Sequence, residues 1–193
     1  MKIGIIIGST RQGRSTDRPA KWAAEAAKQL DDVEVEMLDL KDFDLPFFDE
    51  PISPQYNPER TTEGVVKAWL DKLAEMDGFI VVTPEYNRTL PAVVKNAFDY
   101  VAYELERKPI GIVAHGSTGG AQAVHTLRSL AAGTLAVTVP RTVYITPSAG
   151  MAFAEDGTLN AELAANPYGP NPALQHMLKD LVAYAGALKT IRG

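Results

Sequence analysis

Ile3-Gly4-Ile5-Ile6-Ile7-Gly8-Ser9-Thr10-Arg11-Gln12-Gly13-Arg14-Ser15-Thr16-Asp17-Arg18-Pro19 is the stretch on which the architecture turns. Ile5-Ile6-Ile7 is continuously apolar rather than alternating, the mark of a strand covered on both faces. Proline lacks an amide hydrogen and fits only the first helical turn, so the next helix begins no earlier than about Thr16. Ser9 to Thr16 is therefore a loop whose amides and hydroxyls converge on a helix N-terminus, with Ser15 or Thr16 expected to cap it. A buried strand that runs through a short loop into a helix is the first half of a parallel strand–helix–strand unit.

The same alternation continues along the chain. Strands are expected at Ile3–Gly8, Val33–Leu38, Gly78–Thr83 and Pro109–Ala114, with a split pair at Leu135–Val139 and Thr142–Ile145. Phe79-Ile80-Val81-Val82 is again apolar throughout, whereas Val33-Glu34-Val35-Glu36-Met37 alternates as an edge or half-exposed strand would. Helices are expected at Pro19–Leu30, Val65–Met76, Pro91–Tyr103, Gly120–Ala132 and Pro172–Leu188, the last started by Asn171-Pro172. Right-handed crossovers between such units produce an α/β fold, a doubly wound five-stranded parallel sheet of order 2-1-3-4-5 with helices on both faces. Residues 1–193 read as a single flavodoxin-like domain without repeat or linker. Two long loops, Leu40–Asn57 and Thr146–Asn171, interrupt the regular pattern, and loops of that length usually serve function or an interface. Phe47 and Phe48 in the first of them either plug the end of the sheet or stay exposed.

Composition narrows the chemistry. The chain has 193 residues, no cysteine and three histidines, so disulfides, thiolate nucleophiles and Cys-built metal sites are excluded and a His-built metal site has little to draw on. Nineteen Lys+Arg against 24 Asp+Glu leave a net charge of -5. That balance argues against a nucleic-acid or anionic-membrane binder, since both need a positive field. No apolar run approaches the roughly 20 residues that span a bilayer. The N-terminal strand leads into Arg11, Arg14 and Arg18 rather than a small-residue cleavage site, which reads as a cytoplasmic protein.

In an open α/β sheet, ligands sit beyond the carboxyl ends of the strands, where strand order reverses. Three loops there carry suitable chemistry. The first offers helix-terminal amides, the Ser9, Ser15 and Thr16 hydroxyls, and the Arg11 and Arg14 forks, together a phosphate site. It has neither the Gly-Lys-Ser/Thr of a Walker loop nor a three-glycine dinucleotide pattern. The loop after the third strand, Thr83-Pro84-Glu85-Tyr86-Asn87-Arg88-Thr89-Leu90-Pro91, is stiffened at both ends by proline and presents Tyr86 and Asn87 to a planar, hydrogen-bonding ring. The loop after the fourth, His115-Gly116-Ser117-Thr118-Gly119-Gly120, allows close backbone approach. His115 has no evident Ser or acid partner, and Ser117 lacks an esterase frame.

At these residues the sequence resembles the NADPH-dependent FMN reductase family. The resemblance rests on Gly8-Ser9-Thr10-Arg11-x-Gly13-Arg14, on Pro84-Glu85-Tyr86-Asn87 with Leu90-Pro91 and Lys95-Asn96-Ala97-x-Asp99, and on Gly116–Gly120. It implies FMN bound non-covalently. The phosphate would lie on Ser9, Arg11, Arg14, Ser15 and Thr16, and the ring on Pro84, Glu85, Tyr86 and Asn87. His115, Gly116, Ser117, Thr118 and Gly119 would stand at its pyrimidine edge. Many relatives end the first loop in Ser-x-Asn, where this chain has Ser15-Thr16-Asp17. The resemblance further implies a homodimer or homotetramer and a ping-pong cycle. NADPH or NADH would reduce the flavin, which then reduces a quinone, azo compound, free flavin or metal oxyanion, with no catalytic side chain assigned. A flavodoxin-type electron carrier without NAD(P)H activity shares fold and cofactor, but carriers of that kind usually lack arginines in the phosphate loop. A phosphate-ester binding module without redox role is the other rival.

Overall fold

The computed structural model describes residues 1–192. Five parallel strands, β1 (Lys2–Ile7), β2 (Glu34–Asp39), β3 (Gly78–Pro84), β4 (Pro109–His115) and β5 (Val137–Ile145), form one sheet of order β2-β1-β3-β4-β5. Around it run α1 (Asp17–Ala27), α2 (Gly64–Glu75), α3 (Ala92–Asp99), α4 (Ala121–Gly133), α5 (Ala149–Ala152), α6 (Ala161–Ala165) and α7 (Pro170–Lys189). No helix among the described residues is long and apolar enough to cross a membrane.

Period-two alternation in the strands divides the core into two layers. Ile3, Ile5, Ile7, Ile80, Val82 and Val113 pack with the alanine face of α1 and with Leu174, Met177, Leu178 and Leu181 of α7. Ile6, Phe79, Val81, Ile110 and Ile112 face Trp69 and Leu73 of α2, Val94 and Phe98 of α3, and Val124 and Leu127 of α4. β3 and β4 are buried along their whole length, while β2, the alternating strand, lies at the edge and is largely half-exposed. The expected topology therefore holds, helices on both faces included.

Three local expectations give way to tertiary contacts. The split fifth strand is continuous, with an irregularity where Ile110 pairs with Thr138 but Ile112 with Thr142. Pro140, which has no ladder donor, sits in that irregularity. Arg128 of α4 satisfies it, donating to Thr138 Oγ1 (3.0 Å), Val139 O (3.1 Å), Pro140 O (3.0 Å) and Thr142 Oγ1 (2.8 Å). The last helix starts at Pro170 rather than at Pro172, because Pro170 itself takes the first position, and Asn171 does not cap it. Asn171 instead accepts from Trp22 Nε1 at 3.1 Å and donates to Ala164 O at 3.2 Å. Finally, α1 begins at Asp17 after Thr16, yet neither Ser15 nor Thr16 caps it with a side chain.

The long loop after β2 is a strap laid over α3. Asn96 accepts from the Phe48 amide at 2.9 Å and donates to Pro46 O at 2.8 Å, and the Tyr100 hydroxyl donates to Pro46 O at 3.1 Å. Gln55 reaches Gly133 O at 2.9 Å. Phe43 packs edge-on against Trp69 and Phe48 against Tyr100, so these rings plug the end of the sheet. Phe47 does not, and stays 82% exposed.

Candidate functional site

The loops after β1, β3 and β4 meet over the carboxyl end of the sheet around a cavity of about 210 Å³. Its wall holds Arg11, Gly13, Arg14, Ser15 and Thr16 from the first loop, Pro84, Glu85 and Tyr86 from the second, and His115 and Gly116 from the third. Ser148, beyond β5, completes it.

The first loop presents the N-terminus of α1. Because no side chain caps that helix, the amides of Ser15, Thr16 and Asp17 have no hydrogen-bond partner among the described residues. An open helix start with unpaired amides and the positive end of the helix dipole is suited to an anion. Arg11 makes no ion pair among the described residues, and its guanidinium lies over the Tyr86 ring, 5.7 Å from the centroid.

Arg14, Ser9 and Thr16 of this loop are engaged in long-range contacts. Arg14 donates from both terminal nitrogens to the Asp39 carboxylate, at 2.7 Å to Oδ1, and also to Ser9 O. This hydrogen bonding, together with the charge of Asp39, raises the Arg14 pKa further above its ordinary value. Arg14 thus ties the loop to the end of β2, and its charge is already neutralised there. Ser9 is fully buried beneath the wall, its hydroxyl sharing a hydrogen bond with the Tyr86 hydroxyl at 2.8 Å. The Thr16 hydroxyl turns away from the helix amides to His115 Nε2, 3.1 Å off.

His115 closes β4 and is 5% exposed. Burial without a charged partner pushes its pKa down to about 4, so the ring is neutral at ordinary pH. Glu85, expected under a ring, turns its carboxylate to the start of α4, accepting from the Gln122 amide at 2.9 Å and Thr118 Oγ1 at 3.4 Å. It caps that helix from another element. Gly120 makes the tight entry to α4 possible: its φ is +80°, and a Cβ there would sit 2.8 Å from Ala114 Cβ.

Some expected residues stand off the wall. Asn87 and Arg88 have φ of 48° and 67° and form the exposed tip of a hairpin closed by Tyr86 N to Thr89 O (2.9 Å) and its return bond (3.0 Å). Ser117 and Thr118 are exposed outside the cavity, and Gly119 is buried beside Tyr144. Ser148 was not foreseen. The signal for it was topological: β5 neighbours β4, so its following loop also opens onto this rim. A larger cavity of about 330 Å³, walled by Phe43, Leu45, Phe47 and Val93, lies on the strap side where α3 begins at Ala92, and its lining includes no arginine.

The donor set fits a phosphate, and the proline-stiffened wall with its aromatic ring fits a flat group beside it. The chain is 38% identical over 130 residues to an NAD(P)H-dependent FMN reductase of Schizosaccharomyces pombe, covering 67% of this chain and 65% of that protein. It therefore spans just under two thirds of that relative's length. An NADPH azoreductase of a Bacillus species (strain OY1-2) is 30% identical over 196 residues, covering 100% of this chain and 97% of the relative. Among solved structures, FerB, a flavoenzyme NAD(P)H:(acceptor) oxidoreductase from Paracoccus denitrificans, superposes with a TM-score of 0.70 at 21% identity, over 98% of this chain and 97% of the other. Residues 1–150, which include all three loops of the cavity, match the NADPH-dependent FMN reductase family, and the chain belongs to it.

Proposed function

We propose that this protein is an FMN-dependent NAD(P)H oxidoreductase, residues 1–193 forming one FMN-binding domain. NADPH or NADH is the hydride donor, and a small quinone, azo compound, free flavin or metal oxyanion is the acceptor. The observation that carries this reading is the uncapped start of α1: Ser15 and Thr16, whose amides have no partner among the described residues, line the same cavity as Arg11 and Tyr86. The azoreductase and FMN reductase among the relatives support the same reaction class.

When bound, FMN supplies the hydride chemistry that no side chain of this protein can perform. The chain's part is to bind and orient. The Ser15, Thr16 and Asp17 amides and Arg11 hold the phosphate. Arg14, locked to Asp39, keeps the loop in the shape that aims them. Pro84, the Glu85 backbone and Tyr86 would wall the ring, and the loop after β4, which reaches the cavity wall at Gly116, would stand at its pyrimidine edge. His115 is neutral and bonded to Thr16, so it positions the first loop rather than moving a proton.

Anaerobic mixing of the purified yellow protein with NADPH tests the reading. Bleaching without any partner protein is expected. A flavin that binds but stays oxidised would favour the flavodoxin-type carrier, and a protein that neither carries FMN nor quenches its fluorescence would favour a phosphate-ester module.

We further infer a cytoplasmic homodimer or homotetramer. Support for assembly comes from the strap, where Phe47 and Tyr56 are 82% and 88% exposed and Ile52 is exposed between them. Isolated apolar residues on a surface are ordinary, but three on one pinned segment suit an interface.

A further inference from the structure

We propose that the segment after β5 is a fourth wall of the phosphate site, with Ser148 a direct phosphate ligand and Gly150 the clearance that admits the phosphate. The inference rests on the FMN reading above and adds residues outside the three loops that carried it.

A phosphate monoester offers three strongly accepting oxygens. Against that demand the first loop supplies fewer side-chain donors than its sequence promises. Arg14 is committed to Asp39, Ser9 is buried against Tyr86, and the Thr16 hydroxyl is on His115. Arg11 and Ser15 remain. Ser148 lines the same cavity, and its hydroxyl has no partner among the described residues.

The segment is held in place by α1 itself, which is why it can serve as a wall. Arg18 donates to Phe153 O at 3.0 Å and Gly150 O at 3.3 Å, and Lys21 donates to Glu155 O at 2.9 Å. Trp22 packs on Phe153 with centroids 5.4 Å apart. Thus the helix whose N-terminus receives the phosphate also fixes the opposite side of the pocket. Gly150 faces Ser15, a residue of the cavity wall: a Cβ there would meet Ser15 Oγ at 3.6 Å and Ser15 Cβ at 3.7 Å. Those are ordinary contacts, so the fold admits a Cβ, and a branched side chain is expected to occupy the space beside Ser15.

The test compares FMN with riboflavin, which lacks the phosphate, by fluorescence-quenching titration of the full-length apoprotein. Ser148→Ala should raise the FMN dissociation constant about tenfold, in keeping with loss of a hydrogen bond to a charged group, and leave riboflavin unchanged. Ser148→Thr should restore FMN binding. Gly150→Val should weaken FMN far more than riboflavin while circular dichroism stays native. Arg11→Ala is the reference. If it weakens FMN while Ser148→Ala and Gly150→Val do not, the fourth wall is wrong and the FMN reading stands. If FMN and riboflavin weaken equally in the Ser148 and Gly150 variants, the segment supports the loop without touching the phosphate, and the proposal fails. Unchanged FMN affinity in the Arg11 variant overturns the phosphate site and this wall with it.

Discussion

Arg14 donates to both oxygens of the Asp39 carboxylate, whereas Arg11 rests on an aromatic face, and the two arginines of one loop should respond differently to removal. Arg11→Ala is expected to weaken FMN binding by about 1.5–3 kcal/mol, a charged hydrogen bond's worth, with little change in urea midpoint. Arg14→Ala leaves a mostly buried carboxylate without its cation. It should lower folding stability by on the order of 1–3 kcal/mol, less than for a fully buried pair. Reversal of that pattern in paired binding and urea titrations would contradict the assignment of Arg14 to the scaffold. His115 makes a pH prediction. Its folded pKa is about 4 against an ordinary 6.5, so between those values the unfolded chain holds more protons and stability rises with pH. The contribution is complete above about pH 6.5 and lost as pH falls through about 4, roughly 3 kcal/mol in all. His115→Gln should flatten that part of the stability–pH curve, as read by urea unfolding at a series of pH values.

At the scale of elements, the site depends on loops being pinned by residues from elsewhere. Glu85 of the third strand's loop caps α4, Asn96 of α3 clasps the strap, and Arg128 of α4 fills the irregularity in β5. That last contact is open to a direct test. Arg128→Met keeps the aliphatic stem but leaves Val139 O and the two threonine hydroxyls without their donor. A loss of about 1–3 kcal/mol is expected in chemical denaturation, with the flavin affinity of the remaining folded protein unchanged. Local sequence showed a break near Pro140, because a proline cannot donate to the ladder. It could not show that a guanidinium twelve residues earlier would bridge the gap, since that contact exists only once α4 packs on β5.

Across the whole molecule, the cavity and the exposed strap are separate features with separate consequences. The strap carries Phe47 and Tyr56 on a surface whose net charge of -5 is modest enough to permit self-association. Phe47→Ser with Tyr56→Ser is expected to weaken assembly by about 2 kcal/mol or more, the scale of an interface hot spot, and to shift sedimentation velocity profiles toward monomer. A wild-type protein that sediments as a monomer at micromolar concentration would rule out that interface.

The sequence by itself determined the strand order, the helical layers and the three rim loops, because periodicity and proline placement are local signals that each segment carries alone. It also named Arg11, Ser15, Pro84, Tyr86 and Gly116, all of which line the cavity. Only the tertiary structure decided which of the many hydroxyls and cations remain available to a ligand. Ser9, Arg14 and Thr16 find partners on the Tyr86 hairpin, on β2 and on β4 respectively, while Ser148 arrives from a distant loop. A hydrogen bond or ion pair joins groups by distance in space, and no pattern along one segment records what another segment brings beside it.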